Sequence, residues 1–89
     1  MQARWTQWSE DHVAPHGVTW TEVEEALTPP IVEENGDRDS RLVLGRTFGG
    51  RYLLMVVAPD PDAPTVFVVT ARGMTDAERR RYRSRIGKG

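Results

Sequence analysis

The chain has 89 residues, no cysteine and a formal net charge of −1. A chain of this length forms one small domain, residues 1–89, and leaves no room for separate cofactor and substrate domains. Its lack of cysteine excludes disulfides and cysteine-based zinc sites, and no apolar run is long enough for a membrane span or a signal peptide. We therefore expect a cytoplasmic protein that has no membrane segment.

Charge is distributed unevenly along the chain. Residues 1–39 carry nine acidic and two basic side chains, whereas residues 40–89 carry ten basic and four acidic ones. Eleven of the twelve basic residues are arginine, which suits planar contacts with phosphate or carboxylate groups. The asymmetry indicates either a surface for a polyanion or neutralisation of the basic half by the acidic half, within the chain or at a dimer interface.

Two helices are predicted before the sheet. The first is a short helix over residues 9–16, with Gly17 as its C-terminal stop. Thr19 and Glu22 form a capping box that opens the second helix, which runs through about Leu27 and ends before a proline pair.

The remaining predicted elements are strands and a last helix. Apolar patterns indicate strands at 31–33, 41–48, 51–58 and 65–72, of which 51–58 is apolar on both faces and therefore central. Thr75 and Glu78 form a second capping box, opening a helix through about Ile86. The order predicts an α+β fold with two N-terminal helices, a three- to four-stranded antiparallel sheet and a C-terminal helix.

The predicted register brings three arginines to one end of the sheet. A two-residue glycine turn pairs Arg46 with Leu53, and symmetric closure of the next loop places Arg51 opposite Arg72. Like charges directly opposed in a sheet are destabilising, so an anion such as phosphate is expected there. The alternative is that these arginines pair with the acidic residues of the first strand region.

The last helix adds further candidates to this end of the sheet. Its N-terminus, next to Thr75, offers free N–H groups to an anion. Tyr82 is predicted to face the sheet, either as a proton donor or as an ordinary packed tyrosine. The helix carries five arginines, Arg79, Arg80, Arg81, Arg83 and Arg85. Most of them are expected to lie on a solvated surface.

Histidines and tryptophans are weaker candidates. His12 and His16 are four residues apart on the first predicted helix, but no third ligand has metal-site spacing, so no metal is expected. His16 is a candidate for proton transfer or for a helix cap. The three tryptophans fit a core or an interface better than stacking on bases.

Three segments together resemble the BrnT-like toxins of bacterial type II toxin–antitoxin systems, within the RelE/ParE superfamily. The segments are HGVTWTEVEEAL, LVLGRTFGGRYLLMVV and VFVVTARGMTDAERRRY, and the resemblance spans roughly residues 10–83. It implies a compact RelE-like α+β fold, a ribonuclease activity, free or on the ribosome, and a cognate antitoxin that binds the toxin in a hetero-oligomer. The implied ribonuclease activity needs no cofactor.

The resemblance also places the family's motifs on particular residues. His16, Arg51, Arg72 and Tyr82 correspond to motif positions, as does Arg79. The hypothesis is metal-independent RNA cleavage, in which the 2′-hydroxyl attacks the neighbouring phosphodiester. Arg51 and Arg72 then hold the scissile phosphate, and His16 and Tyr82 transfer protons. Arg46, Arg79 and Arg81 bind the neighbouring phosphates.

A rival hypothesis uses the same basic face without catalysis. The protein is then a binding module for an acidic partner, or a gyrase-directed toxin of the ParE kind. Cleavage of RNA without divalent metal distinguishes the two hypotheses.

Overall fold

A computed structural model of the chain describes residues 1–4, 16–61 and 64–87. The elements in chain order are β1 (Ala3–Arg4), α1 (Trp20–Ala26), β2 (Val32–Asn35), β3 (Arg41–Arg46), β4 (Tyr52–Pro59), β5 (Val66–Gly73) and α2 (Asp76–Ile86). Both predicted capping boxes are confirmed, with Thr19 and Thr75 as the N-caps.

The strands form a mixed sheet of five in the order β1-β5-β4-β3-β2. β1 is parallel to β5, and the other three pairs are antiparallel. The predicted antiparallel sheet of three to four strands is therefore wrong. The segment MQAR has no strand pattern, and its pairing depends on tertiary contacts: the Val66 amide donates to the Gln2 carbonyl at 3.1 Å, and the N-terminal amine donates to the Leu27 carbonyl at 3.2 Å.

The prediction of two N-terminal helices is also wrong. The described residues contain one helix between β1 and β2, which is α1. The predicted helix over residues 9–16 lies outside the described residues except at its last position.

One helix covers each face of the sheet. α1 packs on Val43, Leu53, Met55 and neighbouring core residues, and we call this the α1 face. α2 places Tyr82 against Leu44, Leu54 and Val32 on the opposite side, the α2 face. β4 lies in the middle of the sheet, and its central residues are buried from both sides, which confirms the prediction of a central strand covered on both faces.

The turn between β3 and β4 differs from the predicted two-residue turn. The Thr47 amide donates to the Arg51 carbonyl at 2.8 Å, and the Gly50 amide donates to the Thr47 carbonyl at 3.0 Å. Gly50 has a φ of +95°, so the loop consists of residues 48–50 and needs a glycine at its last position. Arg46 therefore pairs with Tyr52 and not with Leu53.

A second irregularity changes the register between β4 and β5. Next to the loop, Ala58 already pairs with Phe67 and not with Thr65, and a bulge at Val56 and Val57 shifts the pairing by one more residue, so that Arg72 lies opposite Leu54. The predicted pairing of Arg51 with Arg72 is therefore wrong. The prediction assumed symmetric closure of the loop, but the loop itself displaces the pairing by two residues and the bulge adds one more.

Candidate functional site

Arg51 is bound to the α1 side of the sheet. Its guanidinium donates to the Gly17 carbonyl at 2.8 Å, to the His16 carbonyl at 3.3 Å and to the Glu22 carboxylate at 3.3 Å. The capping hydrogen bond from Thr19, burial and this arginine act together on Glu22, and the net effect is a lowered pKa. The arginine thus ties the β3–β4 loop to the start of α1.

Arg72 lies on the α2 face and is paired with Glu78. Its two terminal nitrogens donate to the two carboxylate oxygens at 2.8 and 2.9 Å. These hydrogen bonds lower the pKa of Glu78 to about 2. Because Arg51 and Arg72 point to opposite faces and each has a carboxylate partner, the structure does not bring them together around one anion.

Two other predicted candidates are also engaged in structural contacts. Arg81 donates to Glu34 at 3.0 and 3.1 Å, which fastens α2 to β2 and lowers the pKa of Glu34. Tyr82 is 2% exposed, and its hydroxyl donates to the Pro30 carbonyl at 2.9 Å. Burial raises the pKa of Tyr82. Tyr82 therefore has the environment of a packed tyrosine.

His16 is exposed, and its carbonyl accepts from Arg51 on the α1 side. Tyr82 lies on the other face, so the two predicted proton-transfer residues do not meet at one site. His12, Trp5 and Trp8 lie outside the described residues. Trp20 packs at the edge of the α1-face core, in line with the expectation of a core role for it.

Three other arginines converge on one tyrosine of the α2 face. The guanidinium carbons of Arg46, Arg79 and Arg83 lie 5.2, 5.1 and 5.1 Å from the centre of the Tyr52 ring. Arg83 also donates two hydrogen bonds of 3.2 Å to the Tyr52 hydroxyl oxygen. We call these four residues the Tyr52 cluster.

The Tyr52 cluster has an excess of positive charge. No carboxylate of the described residues lies within ion-pair distance of Arg46, Arg79 or Arg83. The Nε of Arg79 is buried and has no hydrogen-bond partner there. The hydrogen bond from Arg83 lowers the pKa of Tyr52, with a further contribution from the three positive charges. The cluster therefore has the charge and the free donors to bind an anion.

A hollow lies next to the cluster, between residues 28–30, the β3–β4 loop and α2. It has a volume of about 340 Å³, and Arg46 belongs both to its lining and to the Tyr52 cluster. The other lining residues are Thr28, Pro29, Pro30, Thr47, Phe48, Tyr82 and Ile86. We call this cavity the hairpin hollow.

Sequence reasoning named Arg46 and Arg79 as phosphate ligands but missed Tyr52. It assigned Tyr52 to an apolar strand, although the first residue of a strand next to an arginine-rich turn can present its ring at the sheet end. The spacing of Arg79 and Arg83, four residues apart on α2, was the available signal because it places both on one helix face.

The described residues contain no group of three or more histidine, aspartate or glutamate side chains placed to hold a metal ion. Among the described helices, none is both long and apolar enough to cross a membrane.

No curated protein and no solved structure matches the chain significantly. One protein family does match, over residues 10–72, which are 63 of the 89 residues. The matched segment ends at Arg72, so it includes Arg46 and Tyr52 but not the α2 arginines. The chain belongs to the family described as a domain of unknown function, DUF4258.

Proposed function

We propose that this protein is the toxin of a type II toxin–antitoxin module and a metal-independent ribonuclease that holds RNA phosphates at the Tyr52 cluster. The observation that carries the proposal is the convergence of three guanidinium groups without carboxylate partners on one phenol. The resemblance of the chain to BrnT-like toxins supports the choice of RNA over other polyanions.

The chemistry follows from the donors of the cluster. The 2′-oxygen of the RNA attacks its own phosphorus and loses its proton to water, and the bond from phosphorus to the 5′-oxygen breaks. The products are a 2′,3′-cyclic phosphate and a free 5′-hydroxyl. Arg46 and Arg79 offset the negative charge that develops on the phosphorane oxygens.

Tyr52 is the proton donor in this proposal. Its oxygen already accepts from Arg83, so its own hydrogen is available for the departing 5′-oxygen. The neighbouring arginines stabilise the phenolate that remains, in line with the lowered pKa of Tyr52. Water then returns the proton. His16 and Tyr82, which sequence reasoning assigned to proton transfer, have no part in this step.

The partner and the compartment also belong to the proposal. A cognate antitoxin would cover the Tyr52 cluster with acidic side chains, because the arginines of the cluster have no carboxylate partners among the described residues. The expected compartment is the cytoplasm, where the RNA substrate is found.

We expect single substitutions in the cluster to separate catalysis from binding. Tyr52→Phe should lower RNA cleavage in EDTA by about 10²- to 10⁴-fold, the usual range for one general acid, with RNA binding retained. Arg46→Gln should lower cleavage by about 10²-fold or more and weaken binding as well. Arg85→Gln is the matched control, because it removes the same charge from a residue that is already paired with Glu34.

Three results would contradict the proposal. Cleavage that Tyr52→Phe leaves unchanged would exclude the phenol as the acid. Binding of RNA by the wild-type protein without any cleavage would favour the binding module. In cells, induction without growth arrest and without new RNA 5′ ends would exclude a toxic ribonuclease.

A further inference from the structure

The hairpin hollow has an exposed aromatic ring at its rim. Phe48 is 77% exposed, although it belongs to a loop with well-defined backbone contacts. Its amide donates to the Glu25 carboxylate at 3.1 Å, and the Arg51 amide donates to the Thr47 hydroxyl at 2.9 Å. A single exposed apolar side chain is ordinary on a protein surface, so the neighbours of this ring decide its meaning.

Within the hollow the charged neighbour is Arg46, which also contacts the Tyr52 ring, whereas on its other side Phe48 borders Glu24 and Glu25 of α1. A cation and an open aromatic ring therefore border one cavity. A nucleotide carries the complementary pair, since its phosphate is anionic and its base has a flat π-face. An apolar side chain of a protein partner could pack on the Phe48 ring, but it would leave the Arg46 guanidinium without an anion.

The size of the hollow agrees with this occupant. At about 340 Å³ it is at the lower end of the range for small-molecule sites, roughly 300–1,000 Å³. The hollow is open to solvent, so a chain of nucleotides can continue past it.

Most polar side chains of the hollow are already used. Tyr82 donates to the Pro30 carbonyl, the Thr28 hydroxyl donates to the Glu24 carbonyl, and the Thr47 hydroxyl accepts from the Arg51 amide. Few groups remain to read the hydrogen-bonding edge of a base. Recognition by stacking is tolerant of sequence because every base has a π-face.

We propose that the hairpin hollow is a nucleobase subsite in which a base stacks on Phe48 while its phosphate contacts Arg46. The inference rests on the proposed function, because it places the base of the same RNA whose phosphate the Tyr52 cluster holds. It adds that the subsite distinguishes nucleotides from bare phosphate chains and distinguishes the four bases only weakly.

Two fluorescent probes of equal length and charge test this subsite. One is a 2′-O-methyl oligoribonucleotide, which cannot be cleaved by 2′-oxygen attack, and the other is the same backbone without bases. We expect the wild-type protein to bind the base-bearing strand about 5- to 150-fold more tightly, the range that one base–aromatic stack provides. Replacing one base by another should change the affinity far less.

Three substitutions of Phe48 measure the contribution of its ring to binding. Phe48→Ala and Phe48→Leu should bring the affinity ratio of the two probes close to one while the affinity for the baseless strand stays as in wild type. Phe48→Trp should keep or increase the preference. Because the ring is largely exposed, we expect all three variants to keep the wild-type melting temperature, and Phe48→Leu keeps the loop apolar if Phe48→Ala alters it.

The outcomes separate this inference from the proposed function. Equal binding of both probes by the wild-type protein would overturn the subsite and leave the phosphate site standing. Binding of neither probe would overturn the proposed function itself. An unchanged probe ratio in Phe48→Ala, together with weaker capture of a purified cognate antitoxin, would identify the hollow as a protein-docking surface and overturn the subsite.

Discussion

Individual arginines of this chain differ chiefly in their partners. Arg51 and Arg72 are held by Glu22 and Glu78, whereas Arg46 and Arg79 have no carboxylate partner in the described part of the chain. A guanidinium already bound to a carboxylate must give up that contact before it binds phosphate. The unpaired arginines are therefore the better phosphate ligands, although sequence spacing does not rank them.

Gly45 allows α1 to pack closely against β3. A Cβ at this position would overlap the Ala26 carbonyl of α1, so a glycine is required where the helix crosses β3. We expect Gly45→Ala to lower the free energy of unfolding by about 1–3 kcal/mol, as overpacking of a core does, in urea denaturation.

Gly49→Ala is the control for this prediction. The nearest atom to a Cβ at Gly49 is the Thr47 hydroxyl oxygen at 3.9 Å, which is an ordinary contact. Its effect should stay within about 0.5 kcal/mol, as for most surface substitutions. Equal destabilisation by the two variants would show that α1 does not approach β3 as closely as described.

At the level of the element, α2 is positioned by its own first turn and by ion pairs with β5 and β2. Thr75 and Glu78 cap the helix, Arg72 binds Glu78 from β5, and Arg81 binds Glu34 from β2. The same carboxylate of Glu78 thus serves the cap and the ion pair. These contacts orient Arg79 and Arg83 towards Tyr52.

The pH dependence of stability should report on Glu78. Its pKa falls from the ordinary 4.5 to about 2 in the folded protein, so its contribution is present above pH 4.5 and is lost as the pH falls towards 2. Urea denaturation at several pH values should show a free energy of unfolding that decreases over this interval.

Glu78→Gln is a sharp comparison because glutamine can still form the capping box but does not titrate. The variant should lose less stability than wild type between pH 4.5 and 2. Glu34 and Glu22, whose pKa values are also lowered, keep some of the acid sensitivity in both proteins. Parallel curves for the two proteins would mean that the ion pair of Glu78 with Arg72 does not form.

For the whole molecule, the acidic half neutralises much of the basic half but not all of it. Glu22, Glu33 and Glu34 from the first half pair with arginines of the second half, as the internal alternative predicted. On the α2 face, the arginines of the Tyr52 cluster have no carboxylate partner among the described residues. The net charge of −1 therefore conceals a local positive site.

Salt dependence should measure this local site. If three arginines replace counterions on single-stranded RNA, the logarithm of the binding constant should fall with the logarithm of salt concentration with a slope of about −2. Arg46→Gln should reduce the slope by about 0.7, and Arg85→Gln should leave it unchanged. Equal slopes for wild type and Arg46→Gln would show that RNA phosphates do not bind at Arg46.

Local signals identified the elements that local chemistry controls. The capping boxes at Thr19 and Thr75, the central strand and the hairpin between β3 and β4 were predictable because each depends on residues close in sequence. The arginine-rich second half and the candidates Arg46 and Arg79 were visible in the same way.

The sequence by itself thus determined the helix starts, the order of the main strands and the amount of positive charge available. Only the tertiary structure decided which arginines are paired, since a three-residue loop and a bulge each shift the register, and a shift of one residue reverses the face of a side chain. It also decided the parallel pairing of β1, which depends on contacts between residues more than sixty positions apart. Long-range geometry, which residue spacing does not specify, therefore moved the candidate site from Arg51 and Arg72 to Tyr52.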